Sequence, residues 1–216
     1  MATIKVKVTV NAKPELMNSE PPQVTKSETA EILRLAEQIL LEKVEGDFVE
    51  LGCYKGDTSL LLQKLLKDSQ KALYLYDSFA GLPEKTPEDS SPAGVAFKSG
   101  ELYASKREVI ERFKKQNLPL PKIKKAFFSE LDPTKDLPEK ISFAFLDGDL
   151  YSSIVTSLKL VIPKLSERGI VVVHDYNNSE LPGVSRAVEE FLAHNPLFSL
   201  ENRLSLAVLT KNSPQS

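Results

Sequence analysis

Short apolar runs alternate along this chain with longer segments of helical spacing. Asp47–Leu51 is mostly apolar and ends on Gly52, and Ala72–Tyr76, Ile123–Phe128, Ile141–Leu146 and Gly169–Val173 have the same strand form. Between them lie Asp57–Lys67, Ser105–Gln116, Leu150–Leu165 and Leu181–His194, each predicted as a helix. Ahead of the first run, Thr25-Lys26-Ser27-Glu28 has the Thr-x-x-Glu form of a capping box. Ile32, Leu35, Ala36, Ile39 and Leu40 follow it at helical spacing, so a first helix covers the sheet. The series is β-α-β, which predicts a parallel sheet with helices on it. Leu197–Leu200 and Leu204–Leu209, separated by a turn at Glu201-Asn202-Arg203, read as a hairpin that adds an antiparallel final strand.

Two segments depart from this rhythm. At the N-terminus Ile4, Val6, Val8 and Val10 alternate with Lys5, Lys7 and Thr9, as in a half-buried strand. Asn11–Lys26, with Pro14, Pro21 and Pro22, reads as an extended linker. Residues 1–26 thus form an arm, which offers a route to a homo-oligomer. The other departure is the connection Ser78–Tyr103, punctuated by Gly81, Pro83, Pro87, Pro92, Gly94 and Gly100. Loops of this length in a compact domain are functional lids or unstructured segments, and its start beside Asp77 favours a lid.

The junction of the first strand and second helix, Glu50-Leu51-Gly52-Cys53-Tyr54-Lys55-Gly56-Asp57-Thr58-Ser59, carries the densest chemical signal. Gly52 and Gly56 allow positive φ and close approach to a ligand; Tyr54 lies between them, and Thr58 and Ser59 fall in the first helical turn, where backbone N–H groups are free. The spacing is Glu-x-Gly-x-x-x-Gly, without the third glycine of a dinucleotide turn and without the Lys-Ser/Thr of a P-loop, so a ligand lacking phosphates suits it better. Asp77, closing the next strand and followed by Ser78, sits where open α/β sheets present an acid to ribose hydroxyls. Glu50 is either a cofactor contact or a carboxylate bound to local backbone.

Later strands end in a second constellation. Asp147 and Asp149 follow one, and His174 and Asp175 follow the next, where open α/β sheets bind ligands. If the strands are neighbours, Asp147 and Asp175 can approach one hard cation, with His174 and water completing its shell. The alternative is that these residues cap strand ends or helix N-termini, as Asp149 does if it caps the helix near Leu150. His174 is open as ligand, general base or supporting hydrogen-bond partner.

The 216 residues suit a single α/β domain, with a formal net charge of −2 and 27% charged residues that imply neither nucleic acid nor an anionic membrane as partner. No apolar run spans a bilayer and the first residues have no signal-peptide core, so the cytoplasm is the expected location. Cys53 is the single cysteine, which excludes an internal disulfide, and it reads as a space-filling residue. Tyr74 and Tyr76 read as core, Lys122, Lys124 and Lys125 as a solvated strand edge, and His194 as a helix C-terminal charge.

Three stretches together carry a family resemblance: Gly46-Asp47-Phe48-Val49-Glu50-Leu51-Gly52, then Tyr76-Asp77-Ser78-Phe79-Ala80-Gly81-Leu82-Pro83, then Phe145-Leu146-Asp147-Gly148-Asp149-Leu150-Tyr151-Ser152-Ser153. With His174-Asp175-Tyr176 and Pro182–Val188 they resemble, in matching order over roughly residues 27 to 210, the macrocin O-methyltransferase family. Those are S-adenosylmethionine-dependent enzymes that methylate sugar hydroxyls in natural-product assembly. The resemblance implies a Rossmann-like methyltransferase sheet, mostly parallel with an antiparallel C-terminal strand and helices on both faces. It also implies S-adenosylmethionine at the glycine turn and Asp77, a small hydroxylated acceptor, and a divalent metal, Mg²⁺ by expectation, held by Asp147 and Asp175. The chain departs from the family at His174, where the family carries an Asp-Asp pair. Two rivals stand beside this reading. A nicotinamide-dependent oxidoreductase requires the pyrophosphate-type glycine pattern that is missing, and a cofactor-binding module without catalysis draws on His174 and the N-terminal arm. A phosphatase of the Asp-x-Asp type is set aside, because Tyr151 follows where Thr or Val is expected.

Overall fold

The computed structural model describes residues 23–91 and 96–212. The strand expected over residues 3–10 and the linker up to residue 22 lie outside the described residues. Helix α1 (Lys26–Leu41) opens with the predicted box: the Glu28 N–H donates to Thr25 Oγ1 (3.3 Å) and the Thr25 N–H to Glu28 Oε2 (2.8 Å). Strand β1 (Asp47–Leu51), helix α2 (Asp57–Leu66) and strand β2 (Leu73–Asp77) follow, then α3 (Lys106–Lys115), β3 (Lys122–Lys125), β4 (Ile141–Leu146), α4 (Tyr151–Val161), β5 (Leu165–Val173), α5 (Pro182–His194), β6 (Phe198–Arg203) and β7 (Leu206–Lys211).

The strands form one seven-stranded sheet in the order β3-β2-β1-β4-β5-β7-β6. β1 to β5 are mutually parallel, and β7 runs antiparallel to both β5 and β6. Alternate residues of the inner strands supply two cores. Phe48, Leu73, Leu75, Phe143, Phe145 and Val172 pack under α1, α2 and α3. Val49, Leu51, Ala144, Leu146, Val171 and Val173 pack under α4 and α5. Burial on both faces explains why these strands read as continuous apolar runs. No described helix is long and apolar enough to cross a membrane.

Boundaries shift for identifiable reasons. β3 stops at Lys125 and the chain bends into a 3-10 turn at Phe128–Glu130, so Phe127 and Phe128 leave the sheet that their apolar character predicted for them. β5 begins four residues earlier than expected, across Ser166-Glu167-Arg168, where the pairing shifts register and Arg168 has φ of +65°. Glu201-Asn202-Arg203 is strand rather than turn. It belongs to the sheet's outermost strand, where polar side chains face water, and the chain reverses instead at Leu204-Ser205, with Leu204 at φ +62°. α4 ends at Val161 and passes through a 3-10 turn containing Pro163. The lysines of β3 lie on the opposite sheet edge, as predicted, with Lys124 paired to Asp136.

Candidate active site

The sheet order reverses between β1 and β4, and the crevice at the carboxyl ends of such neighbouring strands is where open α/β sheets bind ligands. A cleft opens there. It is lined by Gly52, Tyr54, Asp77, Ser78, Asp147, His174 and Asp175, which come from four strand ends. The two constellations predicted separately therefore share one cavity.

The β1–α2 turn is built on tight backbone packing. Gly52 has φ of +92°, and a Cβ there would overlap the Asp147 carbonyl at the end of β4. Its glycine is thus required by the approach of β1 to β4 rather than by a ligand. Gly56, at φ +79°, is the N-cap of α2, and a Cβ there would press on Val109 of α3. The Asp77 carboxylate organises the turn: Oδ2 accepts from the Cys53 (3.0 Å) and Tyr54 (2.9 Å) N–H groups, and Oδ1 from the Phe79 N–H (2.7 Å). Burial raises its pKa, and these three N–H donors oppose the shift. Ser78 Oγ donates to the Gly81 carbonyl (2.8 Å) and closes the turn after β2.

Glu50, Thr58 and Ser59 lie beneath this turn and not on the cleft wall. Glu50 is 1% exposed, and burial pushes its carboxyl up to about 8. Ser59 lowers it in part, although Glu50 Oε2 and Ser59 Oγ do not meet in hydrogen-bond geometry and both are buried without a partner. The alternative in which Glu50 is satisfied by local backbone therefore does not hold for Oε2. Cys53 is buried and its thiol pKa is raised by burial, as befits an inert packing residue.

At the ends of β4 and β5 three ligand-capable side chains converge. His174 Nδ1 is 2.8 Å from Asp147 Oδ1 and 3.1 Å from Asp175 Oδ2, and one donor atom from each residue lies within 4.8 Å of the others. On the far side of the ring, Nε2 is 3.7 Å from Glu28 Oε2. Burial alone would lower the His174 pKa, but Asp147 and Asp175 outweigh it and lift the imidazole to about 12, so the ring is a cation among carboxylates. Glu28 is held on both oxygens, Oε2 by the Thr25 N–H and Oε1 by the Ser205 hydroxyl. Burial raises its pKa, and those hydrogen bonds together with His174 outweigh it, leaving Glu28 ionised. Asp149, at φ +59°, also faces the cleft, where burial and Asp147 raise its pKa.

Asp149 does not cap α4. The Tyr151 N–H donates instead to Asp89 Oδ1 (2.7 Å), a residue of the long connection, whose Oδ2 accepts from the Thr86 backbone (2.9 Å) and hydroxyl (3.0 Å). Asp89 is 1% exposed, and the absence of a side chain at Gly183 makes room for it. The excursion is pinched at its neck by the Leu82 N–H to the Glu101 carbonyl (2.8 Å) and the Gly100 N–H to the Leu82 carbonyl (2.9 Å). Its sides supply Gly81, Leu82, Pro83 and Leu102 to the cleft, which Phe127, Phe128 and Gln23 complete.

Glu28, Asp89 and the Phe127–Phe128 pair escaped the sequence reading. Glu28 was legible only as a cap, and Phe127 and Phe128 only as strand. Asp89 is marked in the loop only by its Thr86-x-x-Asp89 capping-box spacing, which does not point to Tyr151.

A seven-stranded sheet of this order, ending in an antiparallel hairpin and bearing a cleft over its central strand ends, places the chain among Rossmann-like methyltransferases. It superimposes on the O-methyltransferase NovP with a TM-score of 0.75 at 24% identity, over 87% of this chain and 80% of that one. More narrowly, the TylF macrocin-O-methyltransferase family model matches residues 23–202, and the chain belongs to that family. Demethyldecarbamoylnovobiocin O-methyltransferase of Streptomyces niveus is 28% identical over 171 residues, 75% of this chain and 64% of that protein. The 8-demethyl-8-(2,3-dimethoxy-alpha-L-rhamnosyl)-tetracenomycin-C 4'-O-methyltransferase of Streptomyces olivaceus is 28% identical over 149 residues, 65% of this chain and 56% of the relative. The match thus spans under two thirds of either relative's length.

Proposed function

We propose that this protein transfers a methyl group from S-adenosylmethionine to a hydroxyl of a sugar or similar diol-bearing small molecule, with a divalent ion assisting. The observation that carries the reading is the convergence of Asp147, His174 and Asp175 in the same cleft as the glycine turn and Asp77. Family membership and the activities named for the two relatives support the reaction class. S-adenosylmethionine supplies an electrophilic methyl group, and a divalent ion lowers the pKa of a hydroxyl it binds.

The residues fit both groups. For the cofactor, Asp77 retains lone pairs beside the turn for ribose hydroxyls, and Glu50, buried beneath the turn with one oxygen unpartnered, would act on the ligand through water or the turn's backbone rather than by direct contact. Leu82, Leu102, Phe127 and Phe128 form an apolar wall suited to a flat base. Asp147 and Asp175 would hold the ion and orient a vicinal diol. Residues 78–103 close over the bound cofactor and keep water out. Residues 1–216 act as one domain in the cytoplasm, the acceptor is a small molecule rather than nucleic acid, and any self-association runs through the N-terminal arm.

Calorimetric titration with S-adenosylhomocysteine and NAD, followed by methyl-transfer assays on diol-containing sugars with and without chelator, tests the reading. Binding of the former in preference to NAD is expected, with turnover lost on chelation, cofactor binding kept, and activity restored by added metal. A second reading, a cofactor-binding module without catalysis, rests on His174 standing where the family resemblance implies an acid and on the N-terminal arm; cofactor binding without transfer to any acceptor, metal present, favours it.

A further inference from the structure

The donor set at the cleft is not all oxygen. Donors about 2.1 Å from a shared octahedral ion lie about 3 Å apart along each edge. Asp147 Oδ1 to His174 Nδ1 at 2.8 Å and His174 Nδ1 to Asp175 Oδ2 at 3.1 Å match two such edges. Carboxylate oxygens suit Mg²⁺, whereas an imidazole nitrogen suits iron, cobalt, nickel or zinc.

The ring is also held for this task. Glu28 cannot swing away, because the Thr25 N–H and the Ser205 hydroxyl fix both of its oxygens. Its Oε2, 3.7 Å from Nε2, sets negative charge on the far side of the imidazole. With an ion held between Asp147 and Asp175, Nδ1 would be its donor and the ring proton would lie on Nε2, facing Glu28 across 3.7 Å, the side on which a carboxylate backs a metal-bound histidine.

We propose that Asp147, His174 and Asp175 form a nitrogen-containing site selective for a transition ion of the Fe²⁺, Co²⁺ or Zn²⁺ kind over Mg²⁺, with Glu28 on α1 as the positioning residue for His174. This rests on the metal-assisted reading above and replaces its expected Mg²⁺. Glu28 of the first helix thereby enters the site from behind His174, outside the cleft lining.

The test uses full-length protein stripped with chelator, dialysed and saturated with S-adenosylhomocysteine, then titrated calorimetrically with CoCl2 and with MgCl2. Co²⁺ is expected to bind at least a hundredfold more tightly, and in His174→Asp the Co²⁺-to-Mg²⁺ preference should contract at least tenfold. The proton NMR spectrum of the Co²⁺-loaded wild type should show a strongly shifted, solvent-exchangeable imidazole N–H resonance that vanishes in D2O. This signal decides the matter even if His174→Asp does not fold. Glu28→Gln keeps a capping-box residue, so helix α1 should persist and S-adenosylhomocysteine affinity should hold, while Co²⁺ affinity drops about tenfold and the shifted resonance broadens or moves. An unchanged ion preference in His174→Asp, or no imidazole resonance, overturns the inference and leaves metal assistance standing. Binding of neither ion to protein that still binds S-adenosylhomocysteine overturns both. Unaltered Co²⁺ affinity and spectrum in Glu28→Gln removes Glu28 from the proposal.

Discussion

At Gly52 two constraints coincide, a left-handed φ and the Asp147 carbonyl in the space a Cβ would take. Gly52→Ala should therefore cost roughly 2–5 kcal/mol from backbone strain and overpacking, read from urea denaturation midpoints. Glu50 gives a pH signature. Its folded carboxyl titrates at about 8 against an ordinary 4.5. Below the lower value it is protonated in both states. As pH rises through this window the unfolded chain ionises first, so stability falls until the folded group also ionises near 8. The loss is up to roughly 5 kcal/mol, and Glu50→Gln should flatten it relative to wild type when denaturation is compared at pH 5 and pH 8. Asp77→Asn keeps one acceptor oxygen and loses the charge. Affinity for S-adenosylhomocysteine should fall about tenfold or more in calorimetry, through a loosened turn as well as weaker ribose contact.

Among the elements, the connection between β2 and α3 is tied down at Asp89 and at its neck. Asp89→Ala leaves the Tyr151 N–H of α4 without its partner and should cost about 1–3 kcal/mol. Limited proteolysis should cut residues 78–103 faster in this variant, while bound cofactor slows cutting in wild type; equal rates with and without cofactor would argue against a lid. The same segment shows where sequence stops being informative. The β-α-β order was readable because strands such as β4 are buried on both faces, and β4 was recovered to the residue from an apolar run interrupted only by Ser142. The strand-end residues Asp77, Asp147, His174 and Asp175 were readable because their positions follow from that order. Asp89 meeting Tyr151 and Glu28 meeting His174 are contacts between distant parts of the chain, 62 residues apart in the first case, and no local pattern encodes them. Glu201-Asn202-Arg203 misled for a related reason: polarity marks a turn and an exposed edge strand alike.

For the whole molecule, α1 carries its own cap at Thr25, so a chain beginning at Gln23 should fold with nearly the full-length Tm. Light scattering should then show a lower assembly state than residues 1–216 show; identical masses would exclude the arm as the source of self-association. The hairpin has a further consequence, in the timing of synthesis. β7 lies between β5 and β6, and the turn before it brings Ser205 to Glu28. A nascent chain emerges N-terminus first. Until residues 206–211 leave the ribosome, β5 is an open sheet edge, and the carboxylate behind His174 lacks one of its two anchors. β7, made after the other described strands, thus seals the sheet, and the turn just before it completes the surroundings of the histidine. A chain stopped after β6 would carry every residue of the Asp-His-Asp cluster and still present an adhesive edge.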